Sequence, residues 1–273
     1  MKLSRLLLIA VLPLAVVSAV FMILAFSAYD PAVSNYFPNG SPLPILSVVS
    51  AFLAFAAGAV SAVLSRKKSE PFAVPSVPSF ALLPAAIGNL AGGVLLLTTG
   101  KTLSGVLFLF GVAFFALLAC PFAKARAPYI TWLGFAAIAA HISLVATYYF
   151  DMTVEMNAPI KVLLQMGLLA AMLDCTVEIR LLMDRSHAVI TPIIIAFAIV
   201  FCGLSSISLS VAFLGGKIPE KDYAAALPVL LGFTATAVCR LASLLQTPKE
   251  NLPAIHSASE RSENDHPNGG KDE

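Results

Sequence analysis

Long apolar runs separated by short polar segments organise this chain, and no run alternates with a period of two. A spanning helix needs about 20 mostly apolar residues. Eight stretches meet that length: 6–28, 43–64, 79–99, 103–121, 129–149, 159–182, 189–214 and 224–246. Without alternation, and with Pro- and Gly-bearing connections, they predict helices rather than barrel strands. The fold class is therefore all-α, a polytopic membrane helix bundle over residues 1–246. Residues 247–273 are polar and aperiodic, which predicts a disordered cytoplasmic tail.

Composition sharpens this picture. The chain is 59% hydrophobic and 12% charged, whereas a soluble domain is nearer half apolar and one quarter charged. Too little polar surface remains to cover a water-exposed globule, so the bilayer is the solvent and a partner. A net charge of +2 gives no footprint for nucleic acid, and the basic residues fall in short segments beside apolar runs. Cys120, Cys175, Cys202 and Cys239 lie within or at the ends of those runs and form no CxxC pair. They read as small buried hydrophobes, not as a disulfide framework or metal site. No cofactor is implied.

The basic residues also orient the chain. With the N-terminus inside, inner segments hold Lys2, Arg5, Arg66, Lys67, Lys68, Lys124, Arg126, Arg180, Arg185, Arg240 and Lys249, while outer segments hold Lys101, Lys161, Lys217 and Lys221. Eleven against four predicts a plasma or inner membrane protein with both termini cytoplasmic. The first run begins like a signal peptide but continues through VFMILAFSA, longer than a cleaved core, so an uncleaved helix is expected. Asn39-Gly40-Ser41 is a formal glycosylation sequon followed by Pro42 and close to the membrane; chance explains it.

Two connections look alike. FSAYDPAVSNYFPNGSPLPIL follows the first helix and ATYYFDMTVEMNAPIKVLL the fifth. Each runs from aromatics and an aspartate through an asparagine to Pro-Ile. A parallel four-plus-four internal repeat would produce this, as would ordinary reuse of interface anchors and helix-start prolines.

Polar residues within the apolar runs are the functional candidates. In the sixth helix Gly167, Ala170, Ala171, Asp174, Glu178, Leu181 and Arg185 fall on one stripe, small in its outer half and acidic in its inner half. Counted from Pro159 at 1.5 Å per residue, Asp174 lies about 22 Å in and Glu178 about 28 Å in. A carboxylate near the membrane centre costs about 2.5–3.5 kcal/mol, so this stripe must face protein or solvent. Arg240, at nearly the depth of Glu178, is the expected partner. Arg185 is an alternative cap from below, and Arg180 can snorkel to headgroups. His141 lies near the midplane, where it suits either a proton relay or a neutral imidazole bonded to a neighbouring Ser or Thr.

Helix three carries AAIGNLAGG. Ala85, Asn89 and Gly93 recur every four residues, as do Gly88 and Gly92, predicting a close helix crossing with one hydrogen-bonding side chain. Ser205, Ser206, Ser208 and Ser210 line a polar path or bond back to their own helix. No HExxH, GxSxG or phosphate-binding loop is present, so an intramembrane enzyme is the weakest reading.

Two functional readings remain. In the first, the chain is a small-solute or ion transporter, proton-coupled through Asp174, with Glu178, Arg240 and His141 as accessory candidates. Pro13, Pro84, Pro192 and Pro228 support it as places where helix backbone can open. The second is a non-catalytic scaffold or accessory subunit, meeting a second copy or another membrane protein through small-residue faces such as those of Gly88, Gly92 and Gly167.

Overall fold

The computed structural model describes residues 3–30, 36–67, 72, 75, 77, 79–185, 187–218 and 221–246. The polar tail 247–273 lies outside them. Apolar helices account for the described chain: α1 (Leu3–Ser27), α2 (Leu43–Lys67), α3 (Leu83–Thr98), α4 (Thr102–Leu118), α5 (Ala127–Phe150), α6 (Pro159–Leu182), α7 (Ile190–Leu214), a single turn α8 (Lys221–Ala224) and α9 (Ala226–Leu245). Seven of these apolar segments are long enough to cross a membrane, and α4, with 17 residues, is shorter. The molecule is a helical membrane-spanning bundle.

The sequence marks most helix ends. Pro44, Pro84, Pro128 and Pro159 fall at the first or second residue of their helices, where a missing N–H costs no helical bond. Among the described residues, Pro13 lies inside a helix. Pro84 therefore opens no helix backbone, whereas Pro192 stands between the Thr191–His187 and Ile193–Val189 bonds and Pro228 follows the break between α8 and α9, so each withholds one helical donor. Helix α3 ends where Gly100 turns to φ +80°, α6 where Asp184 turns to φ +53°, and α7 where Gly216 turns to φ +69°. In each case the next amide closes a six-to-one bond: Lys101 to Leu96, Arg185 to Arg180 and Lys217 to Ala212.

Six helices form a closed ring in which α3 packs on α4, α4 on α5, α5 on α6, α6 on α7, α7 on α9, and α9 back on α3. The α1–α2 hairpin flanks this ring against α7. Residue pairs fix the alternation of direction. Ser4 meets Ser61 while Ser18 meets Ser47; Ser104 meets Ser143 while Gly111 lies near Ala137; Ser205 meets Leu163 while Cys202 meets Gly167. Helix α4 thus runs antiparallel to α5 over its whole length, as a short crossing would.

Burial separates core from periphery. Of the most apolar stretch of each helix, 72% is buried in α7 but only 28% in α2. Helix α2 turns Phe52, Leu53 and Val60 outward, as lipid-facing positions do. The two halves are packed differently: α6 lies along α7, whereas α2 and α3 are not packed side by side among the described residues. Their two similar connections nevertheless meet, with Tyr36 hydrogen-bonded to Glu155.

Candidate functional site

The acidic stripe of α6 faces inward because its small residues admit neighbours. A Cβ on Gly167 would lie 2.9 Å from the Ser205 side chain and 3.0 Å from Leu230 Cδ1, so α7 and α9 both close on this face. Ala170, Ala171, Asp174, Glu178 and Leu181 are buried along it. Arg185 departs from the expected stripe. Its side chain is exposed beyond the helix end, where its carbonyl accepts from Arg180 Nε. It caps neither acid.

Glu178 and Arg240 meet as the sequence predicts. Arg240 Nε donates to Glu178 Oε1 at 2.7 Å, and Nη2 donates to Oε2. Both residues are fully buried, and the fork-to-fork geometry joins α6 to α9. Such a pair survives in a low-dielectric interior because both oxygens receive donors.

Asp174, one turn away on the same face, is the exception. It is also fully buried, yet neither carboxylate oxygen has a hydrogen-bond partner among the described residues. The Glu178 and Arg240 charges act on it from nearby without a hydrogen bond. Cys175 and Cys202, both buried and free, lie beside it. Cys239 is exposed, contrary to the expectation of burial.

His141 is buried on α5, between α4 and α9. Its Nδ1 lies 2.7 Å from the Ala137 carbonyl of its own helix, not from a neighbouring hydroxyl. The ring is clamped edge-to-face between Phe108 and Phe233, at centroid distances of 5.2 and 5.1 Å. Its Nε2 has no partner among the described residues. Aromatic walls on both sides give no described contact between His141 and Asp174.

The glycines of α3 face two neighbours rather than one. A Cβ on Gly88 would lie 2.4 Å from the Pro228 carbonyl oxygen, and one on Gly92 2.4 Å from Val229 and 2.8 Å from the Ala225 oxygen. These face α9. Asn89 and Gly93 face α4 instead, with Asn89 Oδ1 directed at Gly111 and Gly93 against Gly105. Asn89 Nδ2 donates to the Ala85 carbonyl of its own helix at 2.7 Å, while its buried Oδ1 has no hydrogen-bond partner among the described residues. On α7, Ser208 bonds back to Leu204, whereas Ser205 reaches Leu163 on α6 at 2.6 Å.

A polar cluster that sequence reading did not assemble closes one end of the ring. Asp151 caps α5 and accepts from Thr153 N–H at 2.9 Å, Thr153 Oγ1 at 2.7 Å and Tyr223 Oη at 2.6 Å. Lys161, buried in the first turn of α6, donates to the Asp151 carbonyl. Burial pushes the Asp151 carboxyl up, but the Tyr223 and Thr153 bonds and the Lys161 charge outweigh it and hold the carboxyl below the usual range. Tyr148 stacks on Tyr223 at 5.0 Å. The charge order Asp151…Lys161 across a helix start was the available signal; Tyr223 gave none.

No protein-family model matches the chain, and no curated protein or solved structure is detectably similar to it.

Proposed function

We propose that the chain is a proton-coupled transporter of ions or small solutes, with Asp174 as its titrating group. The observation that carries this reading is a fully buried carboxyl with no donor among the described residues, one turn from a buried carboxylate whose guanidinium is already engaged. An ionised, unsolvated carboxylate is too costly to keep in such an interior. Asp174 is tolerated when it carries a proton, or when Arg240 moves to share its charge. Either event changes the charge balance of the α6–α9 seam. That coupling gives proton movement a means to shift helices between states open to opposite sides. Glu178 and Arg240 act as the charge reservoir of the site. The lysine and arginine asymmetry supports a cytoplasmic N-terminus, so the proton leaves toward the cytoplasm from the nearer end of α6.

The test uses protons as the probe. Full-length protein in liposomes, driven by a potassium diffusion potential and read with an internal pH dye, conducts protons above the level of empty vesicles. Asp174→Asn reduces that flux to the empty-vesicle level. A variant with unaltered flux removes Asp174 from the mechanism.

The second reading, a non-catalytic scaffold, draws support from the outward face of α2. There Val49, Phe52, Phe55, Ala56 and Val60 line a shallow apolar groove that fits another membrane helix. Absence of any wild-type proton flux, together with isolation as a stable complex, favours it.

A further inference from the structure

At the junction of α4 and α5 a second site stands apart from the buried acids. Helix α4 ends at Leu118, and a compact turn leads into α5 at Ala127. This corner leaves a groove of about 490 Å³ lined by Leu117, Phe122, Arg126, Tyr129, Ile130 and Leu133. The volume falls within the usual range of ligand pockets, about 300–1,000 Å³. The order of chemistry along it is informative. Arg126, Tyr129, Ile130 and Leu133 follow the i, i+3, i+4, i+7 face of one helix. Over about 10 Å from Arg126 to Leu133, that face presents a guanidinium, a phenol, and then aliphatic side chains only.

Both polar groups on the rim are unspent. Lys124 nearby is paired with Asp184 at 2.7 Å. Arg126, exposed at the mouth of the groove, has no acidic partner among the described residues. The Tyr129 side chain is 74% exposed, and its hydroxyl likewise has no protein partner among them. The start of α5 adds the positive end of a helix dipole to the same spot. A ligand that satisfies this groove carries an anion at one end and hydrocarbon at the other.

We propose that the groove binds one anionic glycerophospholipid. The phosphate rests on Arg126 and the Tyr129 hydroxyl, and an acyl chain runs along Ile130, Leu133 and Leu117. The short α4 favours this occupancy. At about 25 Å it falls below the hydrocarbon thickness, so the bilayer must pack against a recessed corner that a bound chain fills.

Trp132, the single tryptophan of the chain, is adjacent to Leu133 and 74% exposed, which supplies an intrinsic probe. Full-length protein is reconstituted in phosphatidylcholine containing increasing mole fractions of either brominated phosphatidylglycerol or brominated phosphatidylcholine, and Trp132 quenching is followed. Brominated phosphatidylglycerol is expected to associate about fivefold more strongly, the effect of one basic residue at a membrane surface. Arg126→Gln brings that ratio to about one. Leu133→Phe, which fills the groove and keeps the charge, does the same. Arg66→Gln, at an exposed arginine on α2, leaves the ratio unchanged. The proposal fails if Arg126→Gln retains the preference, or if Leu133→Phe retains it, since the attraction is then only to surface charge. Loss of the preference in Arg66→Gln has the same meaning, and displacement by excess inorganic phosphate identifies a free-anion site instead.

Discussion

Arg240 reaches from α9 to hold the Glu178 carboxylate of α6 by two parallel hydrogen bonds, and both side chains are completely buried. The pair stands between two helices that otherwise touch little, so it sets their register at this depth. Removing one member strands the other's charge.

Arg240→Met and Glu178→Gln are each expected to lower stability by about 3–5 kcal/mol, whereas replacing both with well-packed apolar residues costs much less. Thermal unfolding in a mild detergent, arranged as a double-mutant cycle, reads the difference. Equal and additive losses would mean that the two groups do not depend on each other.

Asp174→Asn removes no hydrogen bond made by the described residues. It also deletes a negative charge one turn from Glu178. Stability is expected to be unchanged or slightly raised, with Tm moving by no more than a few degrees. On the proposed mechanism the same substitution is expected to abolish proton flux, so the two measurements separate a functional acid from a structural one.

Gly88 and Gly232 let α3 and α9 touch backbone to backbone. A Cβ on Gly232 would lie 2.5 Å from the Pro84 carbonyl oxygen, just as one on Gly88 meets Pro228. Gly88→Ala is expected to cost at least about 1–3 kcal/mol through overpacking against atoms that cannot rotate away. Gly100→Ala meets nothing within 4 Å and costs only the strain of its positive φ. Comparing the two variants by chemical denaturation tests the distinction.

The Asp151 cluster predicts a pH dependence of definite sign. Its folded carboxyl titrates below the unfolded value of about 3.9. The stabilisation is therefore present above that pH and is lost as pH falls through the folded value. The stability difference between wild type and Asp151→Asn should be constant at neutral pH and shrink in strong acid. Tyr223→Phe should raise the Asp151 midpoint, measurable by carboxyl carbon NMR of selectively labelled protein.

The sequence could reveal what depends on local pattern. Apolar runs locate the spans because a bilayer leaves the backbone no partner but itself, and proline placement marks the helix starts. The Glu178–Arg240 pair was legible because depth along two helices that enter from the same side is simple arithmetic. Azimuth was harder. Gly88 and Asn89 are adjacent in sequence, yet they face α9 and α4 respectively, and periodicity alone merged them into one crossing. Arg185 left the stripe because α6 ends before it, and His141 found its partner in the Ala137 carbonyl of its own helix rather than in a neighbouring hydroxyl. Asp151 and Lys161 flank one short connection, but Tyr223 comes from a distant segment, so its arrival there had no sequence signature.

The close seam between α3 and α9 also constrains motion. Carbonyls and α-carbons interlock there without intervening side chains, so sliding requires the two backbones to part first. These helices should travel as one rigid beam, carrying Arg240 with them. Any rearrangement that exposes Asp174 would then be felt at the sparse contact between α6 and α9, where the Glu178–Arg240 grip joins the beam to α6.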